Sequence, residues 1–267
     1  MKEHTWTLIV WGVRGSVPVA SADVMEYGGN TSCVSVDTGD ELVVFDAGSG
    51  LIQLGRQLER PRRIHILFSH LHMDHLIGLF GFQPLHDPSM EIHLYGETGI
   101  KAQLERLMGP PYWPLGLKDF PAHITVHETA AGARFPLTGD SGLTVDTLRG
   151  DHPNGSLLYR LERREKRVVY ALDCELRDGM SVALTEFARD CGVLVWDAAF
   201  TAEDLRSGWG HSTWEQGAAL GQAAGAKIVL MTHYNWQYSD SFLREQERLA
   251  AAHSAVRFAK ERMRIQL

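Results

Sequence analysis

The sequence predicts an α/β fold of stacked sheets covered by helices, and three observations carry that expectation. Short apolar, β-favourable runs recur along the chain, separated by turns rich in Gly, Pro and Asp. Helical patterns interrupt these runs: Leu51, Leu54 and Leu58 share one face after Gly48-Ser49-Gly50, and an Ala-rich helix is expected from Trp214 to Ala224. Histidines and aspartates gather where strand candidates end, which is where open α/β sheets place their chemistry.

Leu8 to Trp11, Cys33 to Val36 and Leu42 to Phe45 read as the opening strands, and Arg63 to Phe68 follows the first helix. Further candidates are Ile92 to Tyr95, Ile124 to Val126, Leu143 to Leu148, Ser156 to Leu161, Val168 to Leu172, Val193 to Trp196 and Ile228 to Met231. The basic run Arg160 to Arg167 falls between two of these and is expected to turn a hairpin. The segment from Gly109 to Leu115 holds three prolines and two aromatic residues, so 109–121 is read as an ordered excursion, either a lid or an interface.

No internal repeat divides the 267 residues, and a 44% hydrophobic content can fill the core of a single domain spanning 1–267. No apolar run is long enough for a bilayer, and three scattered cysteines fit a reducing cytoplasm. The formal charge of −7 gives no general attraction to polyanions, so neither a long nucleic acid nor a membrane is expected as partner. The aromatic excursion is compatible with a homodimer.

His70-Leu71-His72-Met73-Asp74-His75 places four potential metal ligands in six residues directly after a strand candidate. Later candidates arrive in the same setting: His152 follows Leu143 to Leu148, Asp173 ends Val168 to Leu172, and His233 follows Ile228 to Met231. One edge of the fold can therefore gather all seven. His70, His72 and His152 are expected to hold one ion and Asp74, His75 and His233 a second, with Asp173 bridging. This donor set suits zinc, and also manganese or iron. Other histidines, including His65, His93 and His127, alternate with strand residues or lie in turns and are left out of the site.

This order and spacing resemble the metallo-β-lactamase superfamily over almost the whole chain, and the resemblance implies an αββα sandwich with a two-metal site at one edge. Asp46-Ala47-Gly48 matches the family's early Asp-x-Gly turn, which implies that Asp46 orients a histidine ligand. A turn aspartate bonding its own backbone fits the same residues. Asp173 falls at the bridging position, and its neighbour Cys174 must point to the opposite face of a strand. Within the superfamily, Gly210-His211-Ser212-Thr213 resembles the His-Ser-Thr motif of the ribonuclease Z and phosphodiesterase branch. There the histidine assists the leaving group with support from an upstream acid, which implies Asp197 here. Ser212 and Glu215 also fit a capping box for the helix that follows. The stretches Trp11 to Pro18 and Tyr27 to Cys33 resemble a bacterial subgroup of metallo-hydrolases and the class II cyclic-nucleotide phosphodiesterases. Arg14, Asn30 and Thr31 become candidate phosphate contacts.

The resulting expectation is a dinuclear metal-dependent phosphodiesterase acting on a small nucleotide-type phosphodiester, cyclic ones included. Metal-bound hydroxide attacks, Asp74 accepts its proton, and His211 with Asp197 serves the leaving oxygen. Three alternatives stand beside it. A thioester or lactone hydrolase of the same fold lacks a motif of the His211 type. A transfer RNA 3′-processing endonuclease uses a long basic arm, which is not found. A non-catalytic metal-bound nucleotide sensor has no need of an open dinuclear centre.

Overall fold

Short apolar runs, several of them buried on both faces, make the strands, and the helices between them decide which strands lie parallel. The computed structural model describes residues 5–58, 62–139, 142–177 and 179–267. Its strands are β1 (Thr7–Gly12), β2 (Cys33–Asp37), β3 (Leu42–Phe45), β4 (Arg63–Leu67), β5 (Glu91–Glu97), β6 (His123–Thr129) and β7 (Arg134–Pro136). There follow β8 (Thr144–Gly150), β9 (Ser156–Arg163), β10 (Lys166–Ala171), β11 (Val193–Asp197), β12 (Ile228–Thr232), β13 (Val256–Phe258) and β14 (Arg264–Gln266). The helices are α1 (Gly50–Gln57), α2 (Ile100–Leu107), α3 (Met180–Phe187), α4 (Trp214–Ala224) and α5 (Asp240–Leu249).

One sheet runs in the order β14-β1-β2-β3-β4-β5-β6 and the other in the order β13-β12-β11-β10-β9-β8-β7. Antiparallel pairs open each sheet, whereas β3 to β6 and β10 to β13 are parallel. Helices α1 and α2 lie in crossovers of the first parallel set and α3 to α5 in those of the second, as parallel pairing requires. Val43, Phe45 and Leu67 face the interior between the sheets, while Leu42, Val44, Ile64 and Ile66 pack with Leu51, Leu54, Ile100 and Leu104 of α1 and α2. The molecule is thus the expected αββα sandwich. Phe45 of the first sheet stacks on Tyr170 of the second with centroids 5.0 Å apart, tying together the two sheet edges that carry Asp46 and Asp173.

The hairpin joining β9 and β10 turns through Arg164-Glu165, with Arg163 paired to Lys166 and Arg164 at φ 57°. The short strands β7, β13 and β14 and the helices α2, α3 and α5 are not signalled by the sequence reading. Three-residue strands carry no usable period, and α5 buries only Leu243 on an otherwise polar surface. The 109–121 excursion is ordered by its apolar residues: Trp113 packs on Phe80, and Leu117 and Phe120 are buried. Among the described residues no helix is long and apolar enough to cross a membrane.

The histidines left out of the site form a ladder across β4, β5 and β6. His65 stacks on His93, and His93 Nδ1 lies 2.9 Å from His127 Nε2. Burial depresses the basicity of His93 and His127, and the neighbouring imidazoles depress it further. A folded value below the unfolded value of about 6.5 means that the unfolded chain binds protons first, so the ladder costs stability as pH falls through that range. Replacing both His93 and His127 by Gln should therefore flatten the fall in Tm between pH 7.5 and 5.5 relative to wild type. An unchanged slope would contradict the ladder's role.

Candidate metal centre

Seven side chains expected at one edge converge there, and each arrives from a strand end or the loop beyond it. Three positions turn through unusual backbone: Asp46, Asp173 and His233 have φ of 59°, 54° and 62°. The left-handed region costs a non-glycine residue roughly 1–2 kcal/mol. Here it turns a side chain back over the sheet edge just as the strand ends.

The donor atoms of His70, His72 and His152 lie within 4.8 Å of one another, and so do those of Asp74, His75 and His233. A further group, His70, His75 and Asp173, draws on both sets and so places Asp173 between them. Asp173 Oδ1 is 3.3 Å from His233 Nε2 and 3.6 Å from His152 Nε2, while its Oδ2 is 3.2 Å from His75 Nε2. Cys174, the adjacent residue, is buried in the core between the sheets, and burial pushes its thiol up to about 12.

The rings of His75, His152 and His233 are each held through Nδ1, which leaves Nε2 to face the carboxylates. Asp46 Oδ2 accepts from His75 Nδ1 at 2.6 Å and is itself held by Ser69 and Tyr170, which favours orientation of the ligand over a local turn contact. Ser32 Oγ lies 2.7 Å from His233 Nδ1, and the Gly210 carbonyl accepts from His152 Nδ1 at 2.9 Å. Gly15 leaves space for the inward nitrogen, since a Cβ there would stand 2.6 Å from His233 Nε2.

The electrostatics call for a cation. Burial disfavours the imidazolium of His70, His72 and His152, lowering each. Burial acts the same way on His75, but Asp74, Asp173 and Asp46 outweigh it and raise that ring well above its ordinary value. Asp173 is held well below the carboxylate range: burial opposes ionisation, and His233, His75 and His70 overcome it. Three buried atoms, His70 Nε2, His75 Nε2 and Asp173 Oδ2, have no hydrogen-bond partner. His75 Nε2 and Asp173 Oδ2 are close yet not bonded to each other, so both aim at shared space. That geometry and the nitrogen and carboxylate donors fit divalent metal.

At the margin of the cluster, His211 has a donor nitrogen within 4.8 Å of the donor atoms of His152 and Asp173, and its Nδ1 lies 2.9 Å from Asp197 Oδ2 at the end of β11. Burial would lower this imidazole, but Asp197, with Asp173 and Asp74 behind it, raises it to about 9. Ser212 does not cap α4. Its hydroxyl donates to the Cys174 carbonyl, and the capping box forms one residue later, between Thr213 and Gln216. Glu175, which the sequence did not single out, fixes the segment before His211. Its carboxylate accepts from Ser207 Oγ at 3.1 Å, Gly208 N at 2.8 Å and Gly210 N at 3.1 Å. A cavity of about 410 Å³ opens beside His211 and His233, and another of about 310 Å³ beside His70 and His72.

The three expected phosphate contacts are corrected by their surroundings. Arg14 is fully buried, its Nε donating to Gly28 O and its Nη1 to Tyr238 O. Asn30 bonds Glu261 and Ser49, and Thr31 bonds Ser49 through both its amide and its hydroxyl. Their hydrogen bonds fasten the loops around β1, and Arg14 Nη2, which has no partner, is buried.

Buried imidazoles and carboxylates gathered at one edge of an αββα sandwich define the metal-dependent hydrolases of this architecture. Residues 41–234 match the model of the beta-lactamase superfamily domain, and the chain belongs to that family. Ribonuclease BN of Cronobacter sakazakii is 29% identical, the alignment covering 82% of this chain and 86% of that protein. Ribonuclease Z of Bacillus subtilis is 28% identical, with 73% and 78% covered. Among solved structures, a diphosphatase of the PhnP family shares the fold with a TM-score of 0.74 at 19% identity, over 98% of this chain and 97% of that one. Human tRNase Z, short form, does so with a TM-score of 0.72 at 22% identity, over 97% and 98%. The chain is a hydrolase of a fold that holds divalent metal.

These relatives overturn the expectation that no long nucleic acid is a partner. Two are named as ribonucleases and one as a tRNase. A formal charge of −7 is a sum over the whole chain, whereas a nucleic acid is held by a local surface.

Two outcomes test the geometry. Asp46→Asn should weaken metal binding roughly 10- to 100-fold, the usual effect of losing a ligand's outer hydrogen bond, as read by chelator competition. Glu175→Gln should speed hydrogen exchange at the Gly208 and Gly210 amides by about tenfold or more, since a charged acceptor is lost. Unchanged exchange would remove Glu175 from its anchoring role.

Proposed function

We propose that the chain is a two-metal phosphodiesterase acting on nucleotide-type phosphodiesters, with zinc as the first candidate ion and manganese or iron as the others. The observation that carries this reading is the His211–Asp197 pair set beside the cluster. A departing alkoxide is a strong base and needs a proton or a positive partner, whereas a thiolate leaves without one. Thioester hydrolysis would therefore leave the pair without a task.

His70, His72 and His152 would hold one ion and Asp74, His75 and His233 the other, with Asp173 reaching both. Bound there, divalent ions activate water and offset the charge on phosphoryl oxygens. The chain's own groups do the rest. Asp74 stays ionised: burial opposes this, but His75 and His233 hold it below the carboxylate range, and the Ser16 amide fixes its Oδ2 at 2.7 Å. As an ionised carboxylate it would accept the proton of the attacking water. Asp197 engages Nδ1 of His211, which leaves Nε2 to face the leaving oxygen.

Small nucleotides are the first substrates to consider, because cavities of about 310 and 410 Å³ flank the cluster, the range typical of small-molecule sites. Cleavage near an RNA end is the second reading, favoured by the names of the ribonuclease relatives. The three free cysteines, Cys33, Cys174 and Cys191, are buried, which fits a reducing compartment such as the cytoplasm.

The test is metal analysis followed by a substrate panel: a generic phosphodiester, cyclic mono- and dinucleotides, a transfer RNA precursor with a 3′ trailer, a thioester and a lactone. Turnover restricted to the last two would overturn the proposal, and tight nucleotide binding without product would make the protein a sensor. Asp74→Ala and His72→Ala should abolish phosphodiester turnover. His211→Ala should keep its metal and lose roughly 10²- to 10⁴-fold in kcat, the usual share of a positioned acid.

A further inference from the structure

We propose that the cavity beside His211 is a nucleobase subsite, taking the base of the nucleoside that leaves when the phosphodiester is cut. The inference rests on the phosphodiesterase reading and adds to it which side of the substrate is recognised, and by what.

Position comes first. His211 and His233 line both the metal cluster and this cavity, so a group departing from His211 Nε2 moves into it. The walls are aromatic: Trp209 and Trp236 line the cavity while 61% and 46% exposed, and Phe200 closes it from within at 6% exposure. Phe200 meets the rings of Trp209 and His211 edge to face, with centroids at 6.5 and 5.9 Å, so the wall is continuous from the mouth to the leaving-group histidine. Two indoles left in water at the mouth of one cavity are unusual unless a flat apolar partner covers them. A base is such a partner, because each of its faces can stack.

The rim is polar, as a base edge and its phosphate require. Asn235 and Gln237 offer donors and acceptors, and Arg206 forms no ion pair with another described residue. The geometry of the wall is not accidental packing. Glu175 holds Gly208 and Gly210 on either side of Trp209, so the exposed indole is carried on a fastened segment. The cavity near His70 and His72 has a different character, with Glu97, Thr98, Gln103 and Asn154 in its lining and no tryptophan. The two substituents of a diester would thus meet different surroundings.

Two measurements test this. In the first, the metal-loaded enzyme is given a dinucleoside monophosphate and the same molecule lacking the leaving-side base. Trp209→Ala and Trp236→Ala should each reduce the preference for the complete dinucleotide by roughly 5- to 150-fold in kcat/KM, the worth of one stacked base. An unchanged preference overturns the subsite while leaving the phosphodiesterase reading intact. In the second, which needs no turnover, binding of a nucleoside 5′-monophosphate and, separately, of ribose 5-phosphate is followed by titration calorimetry. Tighter binding of the nucleotide, weakened in both variants, supports the subsite even where the wild type cleaves neither dinucleotide and the phosphodiesterase reading fails. Equal response to the two ligands overturns it. So does a change from dimer to monomer in the variants, by light scattering, with nucleotide binding unaltered.

Discussion

The constraint on which the site depends is the burial of Asp173 as an ionised group. A carboxylate at 1% exposure is tenable only when opposite charge or donors surround it. His75, His152 and His233 approach within 3.6 Å, and the Asp197 carboxylate accepts the Asp173 backbone amide. Burial opposes the charged form of every one of these rings, yet the carboxylates overcome it at His75 and His233 while His152 stays lowered. The buried negative charge thus draws positive charge into the shared space, and a divalent cation supplies it with donors already facing inward.

Everything around the cluster serves to hold this arrangement open. Strand ends supply the side chains, and the left-handed residues Asp46, Asp173 and His233 aim them. Phe45 stacking on Tyr170 brings the two sheets together, and the Tyr170 hydroxyl then reaches Asp46. The core between the sheets is thus coupled directly to the orientation of His75. Tight packing transmits displacement instead of absorbing it, so a small shift of the sheets would be felt at His75 and the residues clustered with it.

Much of this was legible in the sequence because it is written in short local signals. His70 to His75 is contiguous, and His152, Asp173 and His233 each stand after an apolar run that could be read as a strand. The helix Trp214–Ala224 was likewise plain from its composition, although its cap was misplaced by one residue. What the sequence hid depends on contacts between distant segments. Arg14, Asn30 and Thr31 look like anion contacts in a Gly-rich stretch, and only the fold reveals that Arg14 is buried and that Gly28, Ser49, Tyr238 and Glu261 take up most of their hydrogen bonds. Glu175 follows an expected ligand by two positions, but its partners lie 32 to 35 residues later, beyond any local pattern. Net charge failed for the opposite reason: it averages over a surface whose local features decide the partner.

Gly210 links recognition to chemistry. Its amide is fixed by Glu175, its carbonyl fixes the tautomer of His152, and it separates Trp209 from His211. With φ at 77° and His152 Nδ1 2.4 Å from where a Cβ would stand, no other residue fits there without moving His152. The segment from Ser207 to Gly210 therefore cannot be rebuilt independently of His152. A change of specificity is easier at exposed residues here, such as Leu205, Arg206 and Trp209, than at the glycines that anchor the segment.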